Sequence, residues 1–121
     1  MSVSGNYQGG LVSPKPIKLT TNAKTDVVVA INNNETIASY TITNEHSSSH
    51  SSSIVVKCYF HDGATDHLVF IGDVASGKTV FVSDAPLRLL SGHKFKAEAA
   101  TADKITVTPT IISSFANAPS V

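Results

Sequence analysis

The 121-residue sequence has no tryptophan, one cysteine and few charges, and each shortage excludes something. With Cys58 alone, no intrachain disulfide can form. Aromatic residues make up only 7% of the chain, which leaves little for a stacking platform against sugars or single-stranded nucleic acid. Charged residues reach 15% and cancel, nine basic against nine acidic, and the lysines are scattered. No basic stripe exists to neutralise phosphates, so nucleic acid is not expected as a partner. No apolar run approaches the roughly 20 residues that cross a bilayer as a helix, and no membrane partner is expected. The first residues, MSVSGNYQ, lack a basic start and an apolar run, so no secretion signal is expected and synthesis in a reducing cytoplasm is.

Also missing is any stretch of capped 3.6-residue periodicity, and period-two alternation stands in its place. At 94–99 (KFKAEA), Phe95, Ala97 and Ala99 take one face and Lys94, Lys96 and Glu98 the other. Such a strand covers a core with one side and meets water with the other. At 54–61, Ile54, Val56, Cys58 and Phe60 share one face, opposite Val55, Lys57, Tyr59 and His61. Residues 25–31 (TDVVVAI) are β-branched and nearly all apolar, which predicts a central, well-covered strand. Residues 36–44 predict a second strand, paired with the first through the Asn32–Glu35 turn. Further strands are expected at 15–20, 67–71, 79–82 and 104–112, with Pro109 arguing for an edge position or a bulge in the last. Turns are expected at 62–63, 74–77, 91–92 and 101–103. The polar stretch 45–53 (EHSSSHSSS) reads as an exposed loop. Eight or nine short strands separated by turn residues predict an all-β single sandwich, jelly-roll or immunoglobulin-like, with antiparallel strands. The sandwich spans 15–112, between an arm at 1–14 and a tail at 113–121.

Several motifs invite chemistry. Residues 72–79 (GDVASGKT) match G-x-x-x-x-G-K-[ST] letter for letter. A phosphate loop leads directly into a helix whose N-terminal N–H groups hold the phosphates. Here Val80, Phe81 and Val82 follow, with Pro86 close behind, a sequence that favours a strand. The plainer expectation is a hairpin turn in which Gly77 supplies backbone freedom and Lys78 sits in solvent, with no nucleotide bound. Five histidines (His46, His50, His61, His67 and His93) do not reproduce the spacing of a zinc site, and Cys58 is the only sulfur. Asp62, Asp66 and Asp73 lack the ligand ladder of a calcium loop. Cys58, between Val56 and Phe60 on its face, reads as a small buried hydrophobe. No G-x-S-x-G elbow or assignable carboxylate pair occurs. No catalytic, cofactor or metal residue is therefore assigned, and the chain is read as non-enzymatic.

The run Val80-Phe81-Val82, followed by Ala85-Pro86-Leu87-Arg88-Leu89-Leu90-Ser91-Gly92-His93-Lys94-Phe95-Lys96-Ala97, resembles the small β-sandwich virion proteins of tailed bacteriophages. Upstream, Tyr40-Thr41-Ile42-Thr43-Asn44, the serine-rich loop and Ile54-Val55-Val56-Lys57-Cys58-Tyr59 resemble that family's strand, Asn turn, polar loop and next strand. The likeness spans roughly residues 15–112, and His93 stands where the family often carries an acidic residue. The resemblance implies a structural component of a phage particle, a capsid decoration, neck or tail accessory protein located in the virion. Its partners would be further copies of itself and other virion proteins, reached by apolar burial and by strand or arm addition. Candidate contacts are Tyr7, Leu11 and Phe115 in the arms and Val55, Tyr59, Val69 and Phe81 on strand faces. The alternative is a glycan- or host-surface-binding module that uses the loops at 45–53 and 62–67.

Overall fold

The computed structural model describes residues 11–12, 15–31, 34–47, 52–83 and 86–113, and among these the chain is all strand and turn. Ten strands follow in order: β1 (Leu11–Val12), β2 (Ile17–Lys18), β3 (Thr25–Val29), β4 (Glu35–Asn44), β5 (Ser53–His61), β6 (Asp66–Ala75), β7 (Thr79–Val82), β8 (Leu87–Leu89), β9 (Lys94–Ala99) and β10 (Ile105–Ser113). They form two antiparallel sheets packed face to face. In the first, β10 pairs with β4. The short β1 and β2 share the free side of β10, and β7 and β8 share the free side of β4. The second runs β3-β9-β5-β6.

The chain changes sheet at six of the nine connections between these strands, and β5–β6 is the one hairpin among the described residues. This crossing pattern, with the first and last strands adjacent in one sheet, is a jelly roll and not the immunoglobulin arrangement. The alternation behind it is plain in the packing. Phe95, Ala97 and Ala99 of β9 and Ile54, Val56 and Cys58 of β5 point inward. They meet Ile37, Tyr40 and Ile42 of β4 and Ile105, Val107 and Ile111 of β10 from the other sheet. Phe95 and Tyr40 join the two layers at the centre, their rings 4.8 Å apart and tilted.

Four expectations require correction. The 25–31 stretch is not a central strand: β3 is a sheet edge, paired with β9 alone. A register slip between Asp26 and Val28 turns the adjacent Val27 and Val28 both inward, while Ile31 is 66% exposed. Nor do residues 36–44 pair with that strand; β4 lies in the opposite sheet, so the turn between them carries the chain across the sandwich. Pro109 is not on an edge strand. It is buried on β10, opposite Tyr40, between the stretches covered by β2 (Thr106, Val107) and β1 (Ile111, Ile112), with a register shift just beyond at Thr110/Ile111. A residue without an N–H thus sits where the outer neighbour is interrupted. Finally, Leu11 and Val12, read as part of a flexible or inter-subunit arm, pair with Ile112 and Ile111 of their own chain.

Candidate interaction face

The outer face of the second sheet carries most of the molecule's unusual surface. Register places its side chains in rungs across β6, β5 and β9. Asp73 lies beside Val55; Ile71 beside Lys57 beside Glu98; Leu68 beside Tyr59 beside Lys96; Asp66 beside His61 beside Lys94. The slip between Cys58 and Tyr59 leaves Val69 as the extra residue of a bulge on β6. Val55, Leu68, Val69 and Ile71 are all exposed, Ile71 by 58%. Two of the candidate contacts, Val55 and Tyr59, thus converge on this face, with Val69 beside them at its edge.

One end of the face is locked by charge. The Asp66 carboxylate takes Lys24 Nζ on Oδ2 at 3.0 Å, and on Oδ1 His61 Nδ1 at 2.7 Å and Lys96 Nζ at 3.3 Å. Asp62 Oδ1 accepts the N–H groups of Ala64 and Thr65, and its Oδ2 meets His67 Nε2 at 2.9 Å. The His67 contact, with those backbone donors, holds the Asp62 carboxyl well below the usual carboxylate range; Lys24, then His61, does the same for Asp66. Lys24 also sits over the Tyr59 ring, 4.2 Å from its centre. The Tyr59 hydroxyl donates to Glu98 Oε1 at 2.7 Å. Desolvation, reinforced by that carboxylate, pushes the phenol up to about 12.

The other end is open. Lys57 and Glu98 are direct cross-strand partners, yet neither closes an ion pair among the described residues. Beside them lies a hollow of about 260 Å³ lined by Asn22, Val55, Lys57, Glu98, Ala99 and Ala100. Its cause is a mismatch in strand length. The β3–β9 ladder begins at Thr25 and Ala97, so Glu98 and Ala99 have no β3 neighbour to cover them.

The remaining sequence candidates fall elsewhere. Phe81, 74% exposed, projects from β7 on the opposite sheet. Leu11 is placed by its backbone in β1, and Tyr7 and Phe115 lie outside the described residues. Cys58 is fully buried, and burial pushes its thiol up to about 12, so the nucleophilic thiolate is suppressed. His61 and His67 lie on consecutive rungs of opposite facing, each paired with its own aspartate, while His93 Nδ1 accepts the Leu90 N–H. Among the described residues no three His, Cys, Asp or Glu side chains gather to hold a metal.

The 72–79 motif has a structural explanation. Residues 72–75 are the end of β6, Thr79 opens β7, and the turn between them passes from one sheet to the other instead of closing the expected hairpin. Val74, expected in the turn, is a buried strand residue. Gly77, at φ 72°, is the third residue of a turn closed by Lys78 N–H to the Ala75 carbonyl at 3.0 Å, the type II pattern. Gly72 faces the core, where an added Cβ would lie 3.0 Å from the Phe70 ring. Asn44 ties this crossing to β4 through three hydrogen bonds. Gly77 N–H donates to the Asn44 carbonyl, Asn44 N–H to the Lys78 carbonyl, and the buried Asn44 amide to the Val74 carbonyl at 2.9 Å. Asn44 ends the strand expected at 36–44, and the sequence assigns it no role. Its signal is a polar side chain that continues the alternation Ala38, Tyr40, Ile42, Asn44; the register shift beside Ser39 turns Ile37 inward in place of Ala38.

No protein-family model matches the chain, and no curated protein matches it in sequence. Among solved structures it is similar to the Drosophila NLP core, described with regard to pentamer formation and histone binding. The identity is 10% over 84% of this chain and 95% of that one, with a TM-score of 0.53. It also aligns with the CBM22-1–GH10 modules of Clostridium thermocellum xylanase 10B, at 8% identity over 83% of this chain and 20% of that one, with a TM-score of 0.38. The first similarity is one of β-sandwich fold.

Proposed function

We propose that this chain is a non-enzymatic structural subunit of a phage particle, a decoration, neck or tail accessory protein that associates through its sandwich surface. The observation that carries the assembly half of this reading is the cluster of exposed apolar side chains, Val55, Leu68, Val69 and Ile71, on one rigid sheet face. Large apolar side chains exposed together on one face are a usual mark of a surface that meets protein. The particle half rests on the resemblance of residues 15–112 to phage virion proteins. Strand addition at the open β6 edge receives less support, because the bulge at Val69 breaks the flat edge that an added strand needs.

A glycan-binding module fits less well. The polar groups of the 62–67 loop are engaged with each other, and the Tyr59 ring is covered by Lys24. Light scattering on the purified chain tests the assembly. The expected result is a mass that is a whole multiple of one chain, reduced to one chain by Val55→Glu with Leu68→Glu. A single-chain mass at every concentration overturns assembly through self-association. Purified particles containing the chain at a fixed copy number are the expected outcome of the second test; particles without it overturn the virion role.

A further inference from the structure

Resting on the assembly reading, we infer that two copies pack face to face on the outer side of the β3-β9-β5-β6 sheet about a two-fold axis running along the strands between β5 and β9. In this pairing Ile71 of each copy enters the hollow of the other, and Lys57 of each meets the Glu98 carboxylate of the other.

A two-fold interface must be self-complementary, so each face needs both a projection and a recess, and both signs of charge. This face has all four on one rung. Ile71 projects from β6, and the hollow beside Glu98 and Ala99 lies where β3 has not yet begun. Lys57 and Glu98 lie between them, side by side and without ion-pair partners among the described residues.

The spacings agree with this arrangement. Neighbouring strands are about 4.8 Å apart. An axis midway between β5 and β9 lies about one and a half spacings from β6 and half a spacing from Lys57 and from Glu98. Rotation about it carries Ile71 one spacing beyond β9, into the uncovered gap, and sets Lys57 over Glu98 at the same level. Glu98 is held ready by the Tyr59 hydroxyl, which fixes one carboxylate oxygen at 2.7 Å. Ala99 and Ala100 leave room that larger side chains would fill. At the charged end of the face Asp66 is already satisfied by Lys24, His61 and Lys96 and needs no partner.

Charge reversal tests the pairing. Lys57→Glu sets carboxylate against carboxylate at both symmetry-related contacts, and Glu98→Lys sets ammonium against ammonium. Each variant alone is expected to associate about tenfold more weakly than the unaltered chain. Mixing the two variants restores an attractive pair at both contacts, so the mixture regains association that neither has alone. Analytical ultracentrifugation of each variant and of the equimolar mixture reads this directly. If the unaltered chain associates and both reversals leave it unchanged, the pairing is overturned while the assembly reading stands. If the reversals weaken association but mixing does not restore it, the cross-copy contact is likewise overturned. An unaltered chain that never associates overturns both. Should a reversed chain fail to fold, Ile71→Ser carries the test, since that exposed side chain supports no core: weakened association is expected, and unchanged association overturns the proposal.

Discussion

The two outer faces of the sandwich are built from the same alternation and differ in what they leave unsatisfied. On the β10-β4-β7 side the outward positions are largely threonine: Thr106 stands beside Thr43 beside Thr79, and Thr108 beside Thr41. Threonine suits a pleated surface through its branched Cβ, and its hydroxyl is satisfied locally. Thr43 and Thr79 share a hydrogen bond at 2.9 Å, and Thr106 donates to Glu45, which in turn pairs with Lys18. Phe81 and Ile112 stay exposed there, but the threonine row at 106, 43 and 79 closes its own hydrogen bonds. The β5-β6-β9 side has long apolar side chains in water, a hollow, and an ammonium and a carboxylate that do not pair. The first face settles its polar groups within itself, and the second, with apolar side chains, a hollow and charges outside any ion pair, is the better suited to a partner.

The contrast can be broken at several depths. The deepest cut is Phe95→Ala. Its ring presses on Tyr40 from the opposite sheet, so losing it should cost about 3–5 kcal/mol in urea unfolding and weaken both faces together. A cost below about 1 kcal/mol would mean that the sheets do not share this centre. Next comes Asn44→Ala, which leaves the buried Val74 carbonyl without the amide that ties the threonine sheet to the β6–β7 crossing. About 1–3 kcal/mol is expected, read as a shifted midpoint with an unchanged denaturant slope.

The smallest effect concerns acid. Asp62 and Asp66 have folded-state pKa values depressed below the ordinary carboxylate value of about 3.9. Their contribution is therefore fully present above that value and is lost as pH falls through it toward the folded-state pKa. Asp66→Asn should lower stability by a nearly constant amount between about pH 5 and 8, where the contribution is fully present, and the difference should shrink as pH falls below about 4. Thermal melts from about pH 2 to 8 check it, and a difference that persists undiminished below about pH 4 would show that Asp66 acts through packing and not through its charge.

Much of the fold was legible because alternation is local. Phe95, Ala97 and Ala99 were assigned inward, as were Ile54, Val56 and Cys58, and all six are buried. The paired histidines and the exposed Ile71 were less visible. The first depends on the β5–β6 register, and the second on the bulge at Val69, which puts Leu68 and Ile71 on one face. Lys57 and Glu98 could not be linked from sequence, because they belong to strands 41 residues apart that meet only in the sheet.

Side-chain period and turn chemistry, both written in adjacent residues, determined that this chain forms strands, where most of them lie, and which way their side chains point. The tertiary structure alone decided which sheet each strand joined. A turn such as the one at Gly77 reverses or redirects the backbone equally well toward the same sheet or the opposite one. That choice is made by burial over the whole core. It placed β3 at an edge, let Pro109 sit inside, and left the hollow beside Glu98 uncovered.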